Sequence, residues 1–284
     1  MADKSIQKSG REYKDTLFRT LFGDAEHFLE LYNAVADEHY PNNTIVTPCP
    51  SNSLLNRFND IAACIDDQLI IFFEHQSTIS KNMPLRLLSY ATDILYLHAI
   101  NRDDLYDSKQ VTIPTPKFYV LYNGKQKLKQ NELKLSDAFR VKSSEPALEL
   151  ATKIIDINLN SGESALTRSS QLQGYSFLID CIHKNIQNGM TRDKAISLAI
   201  DTCIKKNVLY EFLSEHHLEV AEMLNWEYDA DVERRVLTES GIRKGRVEGR
   251  AEGRTEAADL IAQLIKQGVP LDEALERIRS DKQL

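Results

Sequence analysis

At 284 residues, 42% apolar and 27% charged, the chain is long enough for one substantial core and a second small unit. A formal net charge of −7 argues against a uniformly basic nucleic-acid binder, so any such contact must come from locally concentrated lysine and arginine. No run of about 18 apolar residues occurs, so no membrane span is expected, and MADKSIQKSGREYKD lacks the apolar run of a signal peptide.

In chain order, the first ten residues are polar and expected to be disordered. YKDTLFRTLFGDAEHFLELYNAV then places Leu17, Leu21, Phe28, Leu31 and Val35 at helical spacing. Gly23 breaks that pattern and Asp24 is placed to cap a second helix. The Pro- and Asn-punctuated stretch 41–53 predicts a loop. Two short apolar runs follow, IAACI and LIIFF, separated by Asp66, Asp67 and Gln68. NMPLRLLSYATDILYLHAI predicts a helix with Pro84 in its first turn, and KFYVLY a strand ended by Asn123-Gly124. The strand–helix–strand step favours a partly parallel sheet, hence a mixed α/β fold flanked by helices.

Beyond residue 145 the pattern is almost wholly helical, with Gly189 as a stop and Thr191 as an N-cap. The expected organisation is an α/β core over 1–145 and helices packed on or beside it over 146–240. Residues 241–256 form a Gly/Glu/Arg repeat with glycine at 241, 245, 249 and 253, and 257–284 a small helical hairpin. Glycine disfavours an isolated helix by about 1 kcal/mol per site. The repeat is therefore either a connector or a stripe against which a second copy packs. Cys49, Cys64, Cys181 and Cys203 show no CxxC pairing and read as reduced thiols of a cytoplasmic protein.

The candidate chemistry lies in RFNDIAACIDDQLIIFFEHQST. If the two runs form an antiparallel hairpin with Ile65 opposite Leu69, Asp60 comes opposite Glu74, with Gln76 on the same side and Phe73 and His75 on the other. Opposed carboxylates destabilise a sheet unless a cation lies between them; two such groups suit a magnesium-sized ion. The same spacing also fits two acids that merely reach water at strand ends. For phosphate contacts, Arg19, Lys81 and Arg86 flank the hairpin, and Lys125, Lys127 and Lys129 follow the last strand. Together on one rim they would supply salt-dependent affinity.

The segments YKDTLFRTLFG, NDIAACIDDQLIIFFEHQSTISKNMPLRLLSYATDILY and FYVLYNG, with the later helical block and the EGR repeat, resemble the PD-(D/E)XK nuclease superfamily. The closer likeness is to its branch of recombination-promoting nucleases and transposase-like proteins, over most of residues 11–256. That resemblance implies a metal-dependent DNA endonuclease using Mg2+ or Mn2+, linked to DNA recombination or mobility. It implies Asp60 and Glu74 as metal ligands, Asp15 of the first helix as a further one, and Gln76 where the superfamily usually has lysine. The exchange removes a cation from the attacked phosphate, so a catalytically weak or inactive DNA-binding protein on the same fold is the alternative.

Overall fold

The computed structural model describes residues 17–49, 60–96 and 102–225, and, further on, residues 260, 261, 263–267, 269, 270, 272 and 273. The chain divides into two compact units, Met1–Glu227 and Tyr228–Leu284. In the second, residues 260–261 and 263–266 are helical. The glycine repeat lies outside the described residues, as does Asp15.

In the first unit, the helical pattern after Glu12 resolves into α1 (Leu17–Phe22) and α2 (Ala25–Ala36). The break falls at Gly23, and the Asp24 carboxylate accepts the Glu26 and His27 amides, both at 3.0 Å. These bonds satisfy two amides that the first turn of α2 leaves without helical partners.

Six strands form one sheet in the order β1-β2-β3-β4-β6-β5. They are β1 (Val46–Pro48), β2 (Ile61–Ile65), β3 (Leu69–Gln76), β4 (Thr115–Tyr122), β5 (Glu132–Lys134) and β6 (Ala151–Asp156). The β2–β3 hairpin is antiparallel with Ile65 opposite Leu69 and Ile61 opposite Phe73, the register expected from the sequence. Its loop contains no glycine, yet Asp66 (φ 49°) and Asp67 (φ 54°) both take the left-handed conformation, which aspartate tolerates better than most residues. Asp66 Oδ1 accepts the Ile45 amide at 3.0 Å.

Strands β3, β4 and β6 run parallel, and the chain crosses from β3 to β4 through α3 (Met83–Ile94). Pro84 sits in the first turn of α3, as expected. Two expectations are corrected. The stretch 41–53 is not all loop, because Val46–Pro48 adds an edge strand to β2. The segment after residue 145 is not almost wholly helical, because Ala151–Asp156 is a strand of the sheet, pairing with β4 and β5. Helices α4 (Ala165–Arg168), α5 (Ser170–Gln187) and α6 (Arg192–Lys205) follow, then helical residues 210–225.

Alternation along β3 assigns its two faces. Ile70 and Phe72 pack with Val120, Ile154 and the buried side of α3, including Met83, Leu87 and Tyr90. On the opposite face Phe73 meets Phe28 of α2, with ring centroids 5.4 Å apart. His75 stacks on Phe18 of α1 at 5.1 Å. Glu74 and Gln76 therefore continue the α3 face of the strand.

Candidate metal and phosphate site

One step beyond the Ile61–Phe73 pair, Asp60 stands opposite Glu74 at the open end of the hairpin. Its carboxylate does not simply reach into water: Oδ2 accepts the backbone amide of His75 at 2.5 Å. Asp60 thus extends the ladder where its strand begins, and is held against the residue that follows Glu74. The other side of that amide is fixed too. The His75 ring, on the far face, lies 3.0 Å through Nε2 from the Tyr175 hydroxyl of α5. His75 is packed and structural, as its expected face implied.

Glu74 is only 2% exposed. Burial pushes its carboxyl pKa well above the ordinary value, and the neighbouring Asp60 charge pushes the same way. The Arg86 guanidinium and the Asp60 backbone amide oppose the shift. Arg86 Nη2 lies 3.2 Å from Glu74 Oε2, while Glu74 Oε1 is buried without a hydrogen-bond partner. A buried carboxylate oxygen with no donor is costly, and a site that takes a cation relieves that cost.

Gln76 is half-buried on the same side, its Oε1 accepting the Ser80 amide at 3.2 Å. Among the described residues no group of three or more His, Cys, Asp or Glu side chains is placed to hold a metal. The donor set here is two carboxylates and a carboxamide, all oxygen. Mg2+ is commonly held by one or two carboxylates and keeps several waters, so this set fits the implied ion without a third acid.

The basic residues divide. Arg86 sits inside the site, donating through Nε and Nη2 to the Tyr90 hydroxyl at 3.2 and 3.1 Å. Lys81 is exposed just before α3, and Arg19 lies on α1. Lys125 and Lys127 are exposed after β4. Their loop is drawn against the end of β3 at Gly124, where a Cβ would collide with the Ser77 carbonyl oxygen. Lys125 also lies near α5, where, after burial, its charge helps depress the His183 pKa.

The contributions of Tyr90 and Tyr175 did not emerge from the sequence. Arg86 and Tyr90 stand four apart on one helix, the spacing of facing side chains, and that was the available signal for the first. The second joins residues 100 positions apart and had none.

Comparison with curated proteins and with solved structures finds no match. A family profile matches residues 65–229, taking in β3, α3 and β4 and beginning five residues after Asp60. Among the described residues no helix is long and apolar enough to cross a membrane. The chain belongs to the family described as putative transposase, YhgA-like.

Proposed function

We propose that the protein is a metal-dependent DNA endonuclease that hydrolyses phosphodiester bonds with little sequence preference, in the service of DNA recombination or mobility. The observation that carries this reading is the buried Glu74 carboxylate, one oxygen unpartnered, beside an Asp60 clamped to the next backbone amide. The family's description as transposase-like supports DNA as the target. Asp60 and Glu74 are the residues that would hold Mg2+ or Mn2+, with Asp15 a further candidate. When bound, such an ion supplies Lewis acidity and lowers the pKa of water.

The chain's own groups account for the rest. Glu74 is fixed by strand pairing with β4 and Asp60 by its bond to the His75 amide, so both carboxylates are held in place before any ion binds. Gln76 has its Oε1 turned to Ser80, leaving its NH2 end to orient water or a phosphate oxygen. In the reaction a water oxygen bonds to phosphorus and the bond from phosphorus to one deoxyribose oxygen breaks. That oxygen leaves protonated, and the proton lost by the attacking water passes to solvent. Lys81, Lys125 and Lys127 supply salt-sensitive backbone attraction.

The test is nicking of a supercoiled plasmid in Mg2+ or Mn2+ by the wild-type chain, Asp60→Ala and Glu74→Ala. Cleavage by the wild type alone, abolished by EDTA, is expected. Equal cleavage by all three removes the proposal. One observation favours a non-catalytic DNA-binding protein instead: position 76 carries no cation, and its carboxamide oxygen already caps the Ser80 amide. Gel shifts that persist in EDTA, with no cleavage in any divalent metal, would select that reading.

A further inference from the structure

The cation that partners Glu74 comes not from a neighbouring strand but from α3. Arg86 Nη2 is shared between Glu74 Oε2 at 3.2 Å and the Tyr90 hydroxyl at 3.1 Å, and Nε also donates to that hydroxyl. The guanidinium carbon lies 5.8 Å from the Tyr90 ring centroid. The inner edge of the fork is thus committed, while Nη1 donates to none of the described residues. The Arg86 side chain is 43% exposed against 3% for Glu74, so the group spans from the buried carboxylate to solvent. A guanidinium carries five donors in a planar fork matched to phosphate oxygens.

We propose that Arg86 is a phosphate-contacting residue of this site: counter-ion to Glu74 while no divalent ion is bound, and donor to the substrate phosphate once Glu74 takes one. The inference rests on the endonuclease reading and deepens it, because it locates the positive charge that Gln76 does not provide. A divalent ion and a guanidinium at one carboxylate repel each other, so ion binding weakens the Arg86–Glu74 contact. Tyr90 remains as the pivot, and the Arg86 side chain is already part-exposed to the solvent from which DNA arrives. There it stabilises charge on the phosphate oxygens as the new bond forms.

The experiment uses the full chain and three variants, Arg86→Ala, Arg86→Gln and Arg86→Lys. Mn2+ affinity is read by calorimetry, kcat and KM on a fluorescent duplex, and folding by circular dichroism. Arg86→Gln retains a donor of similar length for Glu74 and carries the same test if Arg86→Ala fails to fold. Removing the charge should tighten Mn2+ binding several-fold, roughly in keeping with loss of a nearby cation, and lower kcat about 100-fold. Arg86→Lys, which keeps the charge and loses the fork, should retain wild-type Mn2+ affinity and fall about tenfold in kcat. Methylguanidinium should restore part of the Arg86→Ala rate.

Wild-type kcat in the folded neutral variants overturns this inference and leaves the endonuclease reading intact. So does a parallel loss of Mn2+ affinity and kcat without rescue, the mark of a purely structural counter-ion. A wild-type chain that neither binds Mn2+ nor cleaves removes the endonuclease reading, and this inference with it.

Discussion

The β2–β3 hairpin carries acidic residues at both ends, and the two ends behave differently. At the turn, Asp66 and Asp67 are exposed; they take left-handed backbone conformations, and one carboxylate oxygen caps the Ile45 amide. At the open end Glu74 is buried, pushed toward its protonated form and left with an unpartnered oxygen. The residue types are nearly the same and about one strand length separates them. What differs is access to water: an exposed acid shapes the backbone cheaply, whereas a buried carboxylate beside a second, half-buried acid creates a demand for positive charge.

The largest effect that separates the two ends is on cleavage. Glu74→Ala should lower the rate at least about 100-fold and abolish any Mn2+-induced rise in melting temperature. Asp66→Asn and Asp67→Asn should leave the rate within about twofold, as expected of surface substitutions. A loss at the turn as deep as that at Glu74 would break the comparison.

Next in size is the dependence on pH. Burial, with Asp60 second, raises the Glu74 pKa above its ordinary 4.5, so this proton competes with the ion. Mn2+ affinity should climb with pH, by up to about tenfold per unit, until the raised pKa is passed. Stability of the metal-free protein runs the other way. The folded state binds the Glu74 proton more tightly than the unfolded chain does. This contribution to stability is therefore complete below the ordinary pKa and lost as pH rises through the raised one. Glu74→Gln should flatten that decline, which melting curves across a pH series would reveal.

Smaller effects sharpen the picture of the turn and of the far face. Asp67→Val places a β-branched residue at φ 54° and should destabilise by about 1–2 kcal/mol, whereas Asp67→Gly should not destabilise; denaturant midpoints compare them. Tyr175→Phe removes the hydroxyl facing His75 and should cost about 1 kcal/mol while leaving cleavage within about twofold.

Much of this was legible in the sequence, for local reasons. Two apolar runs with three residues between them allow few registers once one face must be buried, and that placed Asp60 opposite Glu74 and His75 on the far side. Gly23 and Asp24 marked the α1–α2 break by turn and cap chemistry. Strand β1 escaped because three residues, the last of them Pro48, carry almost no period-2 signal; only pairing with β2 makes them a strand. Strand β6 escaped because its short alternation, ATKIID, is flanked by helical patterns and becomes a strand through β4 and β5. Arg86 was legible as a cation near the site, but its bond to Glu74 depends on how α3 lies on the sheet, a tertiary fact without a local signature.

The most direct measurement is a crystal of the full chain soaked in Mn2+ and read by anomalous scattering. A peak bridging the Asp60 and Glu74 carboxylates, with Arg86 drawn away from Glu74, is the expected result. Ordered carboxylates with no peak at saturating Mn2+, or a peak elsewhere while Glu74 keeps its bond to Arg86, would contradict the account.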